Sequence, residues 1–169
     1  MTDPVETFGR KAHDILRAEP GPAGVEKVRA ALEPVLTDAA VRRRYFGPDN
    51  TAARTPIYED KDLGFVVLAH VSKDSGVSKP HDHGPTWAIY GQVSGETEMT
   101  EYEEVAPARG DTPGTVRPTR TYRMTPGVAV AYGVGAIHAP TTTGPTQLIR
   151  IEGRDATRLP RRSYARPGD

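Results

Sequence analysis

A chain of 169 residues is long enough to bury the core of one domain and short for two. Lys+Arg and Asp+Glu balance at 22 each, so no net field favours nucleic acid or an anionic membrane as a partner. The absence of cysteine excludes disulfides, thiolate metal sites and thiol nucleophiles, and no leader-like or membrane-length apolar run is present, which predicts a cytoplasmic protein.

Asp3-Pro4-Val5-Glu6 reads as a helix start, with Asp3 as N-cap, Pro4 at the first helical position and Glu6 completing a capping box. Phe8, Ala12, Ile15 and Leu16 then share one helical face, and Pro20-Gly21-Pro22 ends the run. A second helical pattern carries Val25, Val28, Leu32, Val35 and Leu36, with Pro34 expected to break or kink its end. Thr37-Asp38 can cap a short third helix through Val41, Tyr45 and Phe46, closed by Gly47-Pro48. Residues 1–50 therefore read as a helical cover laid on something else.

From 54 to 155 the pattern is that of a β-barrel. The run 64–71 is apolar on both faces, as in a covered sheet. Runs 87–93 and 96–102 flank Ser94-Gly95, which predicts a hairpin. Further short strands fall at 115–123, 128–132 and 146–152, with Gly and Pro punctuation suited to a sandwich or barrel. Residues 156–169, rich in arginine, read as a solvated basic tail. Helices first and strands afterwards predict a mainly β domain with a helical N-terminal cover.

The chemistry concentrates in Pro80-His81-Asp82-His83-Gly84 and in Gly133-Val134-Gly135-Ala136-Ile137-His138. Side chains alternate along a strand, so His81 and His83 can present two imidazoles to one point, with His138 arriving from another strand. His13 and His70 read as ordinary core or surface residues. His-x-His alone is a weak motif; its weight comes from what surrounds it.

The combination resembles the cupin superfamily. Its first motif is matched by His81, His83 and Gly95, with Ala88 where cupins carry Glu and Gly76 one residue closer than usual. The second, G-x5-P-x-G-x2-H-x3-N, is met by Gly127, Gly135 and His138, with Gly133 replacing Pro and Thr142 replacing Asn. The resemblance implies a double-stranded β-helix, or jelly-roll barrel, with metal ligands His81, His83 and His138.

The lost carboxylate at Ala88 is similar to the thiol dioxygenases, cysteine dioxygenase and 3-mercaptopropionate dioxygenase, which hold iron(II) by three His. The string from His81 to Gly95, including Trp87, looks like their first motif, and Arg54 falls where they place a residue for the substrate carboxylate. Such a site leaves open positions for a chelating substrate and dioxygen, and a planar guanidinium pairs well with a carboxylate.

The likeness departs on a late strand. Leu148, Arg150 and Glu152 stand where thiol dioxygenases carry Ser, His and a Tyr lying over the iron. Arg150 and Glu152 share one face and can point into the barrel, so both become candidates for the site, Arg150 also for binding substrate. Tyr132 is the nearby hydroxyl that could replace the missing Tyr, Trp87 a candidate site wall, and Tyr90 reads as packing.

The expected function is an iron(II) dioxygenase acting with O2 on a small carboxylate-bearing thiol or another chelating small molecule. Mn, Ni, Zn and Cu remain open as metals. The alternatives are a cupin non-thiol oxygenase, isomerase or lyase using its metal as a Lewis acid, and a non-catalytic ligand-binding cupin. No nucleic-acid or membrane partner is expected, and a homodimer through edge strands is open.

Overall fold

The computed structural model describes residues 2–169. Helix α1 (Pro4–Ala18) begins as its sequence dictates: the Asp3 carboxylate accepts from the Val5 amide at 2.8 Å, and Pro4 fills the first turn. Glu6 faces Arg10 at 3.9 Å, one turn on, and so takes a different partner from the one a capping box requires. Helix α2 (Pro22–Leu36) runs through Pro34 without ending there, because the proline lies in the last turn, where it removes a single backbone bond. Helix α3 (Ala39–Tyr45) is capped by Asp38, which accepts from the Ala40 and Val41 amides at 2.7 and 3.2 Å.

Ten strands follow: β1 (Arg54–Glu59), β2 (Val66–Ser72), β3 (Gly76–Val77), β4 (Ala88–Ser94), β5 (Thr97–Ala106), β6 (Gly114–Met124), β7 (Ala129–Tyr132), β8 (Ile137–Thr142), β9 (Thr146–Glu152) and β10 (Tyr164–Ala165). They form two five-stranded sheets, ordered β1-β2-β9-β4-β7 and β10-β6-β5-β8-β3. This is the double-stranded β-helix with N-terminal helices that the motifs predict.

The first sheet has two contrasting faces, and this contrast positions the site. Val67, Ala69, Ile89, Val93, Ala129, Ile149 and Ile151 turn to one side and join Val5, Phe8, Ala12, Val28, Leu32 and Leu36 of the helices in one buried cluster. Each fully buried side chain of this kind contributes roughly 1.5–3 kcal/mol, which holds the helical layer onto the sheet. Strand alternation then sends Ala88, Tyr90, Arg150 and Glu152 to the barrel interior. Arg150 pairs across the sheet with Leu68 and Tyr90, and Glu152 with Val66 and Ala88.

Two expectations change. Ser94-Gly95 is not a hairpin: β4 pairs with β7 and β9 in one sheet, whereas β5 pairs with β6 and β8 in the other. The chain turns a corner between sheets, with Gly95 at φ 70° and packed where a Cβ would run into the Pro145 carbonyl. The basic tail is not free in solvent either. Tyr164 is buried, β10 pairs in parallel with the start of β6, and the Arg166 guanidinium donates to the Ser78 carbonyl at 2.6 Å.

Candidate metal centre

The backbone joins the two ends of the histidine pattern. His81 and His138 form an isolated antiparallel bridge, each amide donating to the other's carbonyl at 3.0 Å. His138 lies on β8, on a different strand as expected, but His83 lies in the irregular segment before β4 and not on a strand with His81. A turn closed by the Ala136 amide on the Gly133 carbonyl (3.1 Å) delivers His138 to the interior. The C-terminal segment fastens the intervening loop: Tyr164 Oη donates to Asp82 Oδ2 at 2.9 Å, while Asp82 Oδ1 accepts from the Gly84 amide at 3.0 Å.

Within this frame one ligand atom from each of His81, His83 and His138 lies within 4.8 Å of the others. His83 Nε2 and His138 Nε2 are 3.3 Å apart, and the Tyr90 hydroxyl is 3.0 Å from the first and 3.3 Å from the second. His81 Nδ1 is 2.9 Å from the Lys79 carbonyl, an acceptor only, so that nitrogen carries the proton and Nε2 offers its lone pair. Burial, followed by the Arg150 charge, pushes His83 down to about 3. Burial, followed by His81 and His83, holds His138 well below its ordinary value. Burial also lowers His81, against the Lys79 carbonyl and with Arg150. Neutral imidazoles at physiological pH are ligand-ready.

This donor set fits a cation. Two bonds of about 2.1 Å to one ion, roughly 90–110° apart, separate their nitrogens by about 3.0–3.4 Å, which brackets the His83–His138 spacing. His81, His83 and His138 are the residues that would hold it.

Tyr90 is the functional candidate that pattern reading missed. It is buried, and its phenol is held up by burial, against the nearby Arg150 charge, so it keeps its proton. Arg150 Nη1 reaches that oxygen at 3.4 Å, and the guanidinium lies 5.5 Å from the ring centroid. Arg150 and Glu152 both face the interior, as β9 alternation predicts, with Arg150 Nε 2.9 Å from Glu152 Oε1. A cavity of about 280 Å³, lined by His70, Leu148, Thr97, Thr146, Pro140 and Tyr90, opens on the same wall. His70 Nε2 and Thr97 Oγ1 are buried there without partners.

Three other candidates have partners of their own. Trp87 packs against the helical cluster, on the outer side of the sheet, because Gly84-Pro85-Thr86 breaks the alternation inherited from His83. Tyr132 stacks on His138, centroids 4.2 Å apart, but its hydroxyl is 2.5 Å from that of Tyr122 and is taken. Arg54 is committed to Asp155 at 2.8 Å and lies 3.6 Å from Glu152.

Fold and site together define a cupin-type double-stranded β-helix with a three-imidazole cluster inside the barrel. No protein-family model and no curated protein matches the sequence. Neighbours among solved structures include proteins described as cupins. KdgF from a Halomonas species aligns at TM-score 0.47 and 18% identity, over 63% of this chain and 83% of that one. A cupin superfamily protein from Desulfitobacterium hafniense aligns at TM-score 0.45 and 12% identity, over 60% of this chain and 76% of its own. Hydroquinone 1,2-dioxygenase PnpCD, solved with Cd2+ and 4-hydroxybenzonitrile, aligns at TM-score 0.49 and 12% identity, over 71% of each chain.

Proposed function

We propose that His81, His83 and His138 hold one divalent metal, iron(II) first among the choices, in a dioxygenase for a small chelating substrate with an anionic end. A carboxylate-bearing thiol is the first candidate. The observation that carries this reading is the convergence of imidazole nitrogens with the Tyr90 hydroxyl at 3.0 and 3.3 Å from two of them. Iron(II) at such a ligand set supplies open positions for a chelating substrate and dioxygen.

The chain's own groups do the rest. Tyr90, kept protonated by burial, has its hydroxyl within hydrogen-bond distance of His83 Nε2, at 3.0 Å. Once that nitrogen is engaged by a cation, the hydroxyl is free to turn to a bound molecule, with Arg150 beside it. Arg54 and Arg150 face Glu152 and Asp155, so the interior holds no spare positive charge. A substrate carboxylate therefore competes with Asp155 for the Arg54 guanidinium, at the more exposed end of this network. The cavity beside His70 has room for a molecule of a few heavy atoms.

The test is anaerobic iron(II) loading followed by oxygen uptake with cysteine, 3-mercaptopropionate and cysteamine, alongside metal analysis of His81→Ala and His138→Ala. Near-stoichiometric metal in the wild type, lost in both variants, and uptake with a carboxylate-bearing thiol are expected. Unchanged metal content in the variants overturns the centre. A full iron site with no uptake on any thiol overturns the thiol reading and leaves Lewis-acid chemistry on the same ligands.

A further inference from the structure

Ala88 and Glu152 are direct cross-strand partners. The carboxylate that cupins carry at position 88 thus has a counterpart one strand over, on the same inner face. Glu152 is completely buried. Its Oε2 accepts from the Ala156 amide at 2.8 Å, which anchors that end in the turn after β9. Its Oε1 lies 2.9 Å from Arg150 Nε, yet the two are not aligned for a hydrogen bond. The same oxygen faces His83 Nδ1 at 3.9 Å, and that nitrogen is also buried without a partner.

A buried donor or acceptor left without a partner is destabilising. Here the two orphans are complementary halves of one hydrogen bond, about 1 Å beyond the contact distance of a charge-assisted pair. With the proton on Nδ1, Nε2 on the opposite edge of the ring keeps its lone pair and can accept from the Tyr90 hydroxyl 3.0 Å away. His83 Nε2 then presents its lone pair towards His138 Nε2, 3.3 Å away.

We infer that Glu152 is a positioning residue of the centre: it accepts from His83 Nδ1–H, fixes the ring with Nε2 towards the metal, and lends negative charge to a ligand set of three neutral imidazoles. The inference rests on the metal reading of the triad. A carboxylate behind a ligating histidine fixes its tautomer and raises its basicity, and losing one weakens metal affinity by about 10–100-fold. The anchor at Ala156 explains how the carboxylate holds its place when the ring shifts to close the gap.

The experiment compares wild type with Glu152→Gln, which preserves shape and removes the charge, and with Glu152→Ala. The imidazole nitrogen shifts of His83 are read by NMR in metal-free protein, and iron(II) and zinc affinities are measured by competition with a chelator. Wild type is expected to show a single Nδ1–H tautomer at His83. E152Q is expected to keep the wild-type near-UV circular dichroism, lose about 10–100-fold in affinity and show mixed tautomers, with E152A the same or stronger where it folds. A folded E152Q with wild-type affinity and wild-type His83 shifts overturns the assignment. Wild type that takes up no metal overturns the reading of the triad instead, and the metal-free nitrogen shifts still decide whether Glu152 holds the tautomer.

Discussion

Tyr90 faces the barrel interior because the count of alternating residues restarts at Ala88, after the irregular stretch of Gly84, Pro85 and Thr86. That restart sends Trp87 outward to the helices and Tyr90 inward to the histidines. Tyr90→Phe keeps the ring and its contact with Tyr132 while deleting the hydroxyl. It is expected to leave metal content unchanged and to lower turnover in the oxygen-uptake assay by about 10²-fold or more, the scale of a lost proton-handling group. Metal analysis and steady-state kinetics check this, and wild-type turnover in the variant would refute the role. The three histidines were legible in the sequence because their spacing names them whatever the local backbone does. The faces of Tyr90 and Trp87 were not, because a loop of three residues decides parity and its geometry depends on what packs over it.

At the scale of elements, the segment 156–169 is where composition misled most. Arginines on a terminal stretch predict a solvated tail, yet Tyr164 is buried against Val116 and Ile137, and Asp82 receives its hydroxyl. One buried aromatic and a two-residue parallel pairing outweigh the charge pattern, since long arginine side chains keep their heads in water while the backbone docks. The strap crosses Gly84, which sits at φ 65° with a Cβ position running into the Pro160 carbonyl. Gly84→Ala meets both a left-handed backbone, costing about 1–2 kcal/mol, and that clash. The strap is expected to loosen, so trypsin should cut after Arg158, Arg161 or Arg162 faster than in wild type while the barrel core stays intact. Equal cleavage of both proteins would show that the segment is not held there. The corner at Gly95 was illegible for a related reason: a short Gly turn serves a hairpin and a change of sheet equally well, and only the strand partners differ.

Across the whole molecule, Asp60 links the helical layer to the barrel. Its carboxylate accepts from the Asp62 and Leu63 amides at 3.1 and 2.7 Å after β1, and from His13 Nδ1 of α1 at 2.8 Å. Burial pushes Asp60 up, but the Leu63 amide and His13 outweigh it and hold the carboxyl below its ordinary value of 3.8. A carboxyl depressed on folding contributes stability that is complete above the unfolded value and is lost as pH falls through the folded one. Wild type should therefore lose urea resistance from about pH 4 downward, and Asp60→Asn should be weaker at neutral pH with a flatter acid limb. Urea midpoints measured between about pH 6 and pH 2.5 check it, and parallel acid limbs would refute it. The layered order, helices first and an apolar-faced sheet beneath, was legible because 3.6- and 2-residue periods are local properties. The cross-layer tie through His13 was not, since nothing local distinguishes it from any other histidine on a helix.

The bridge between His81 and His138 has a kinetic consequence. Both residues spend their own backbone amides on each other, so neither can swing away from the cluster while β5 and β8 remain paired through Glu101 and His138. Hydrogen exchange at these two amides is expected to be slower than at the neighbouring loop amides between 82 and 86, which amide exchange followed by NMR checks. Whatever the cluster holds is thus gripped by residues tied through the backbone as well as through their rings.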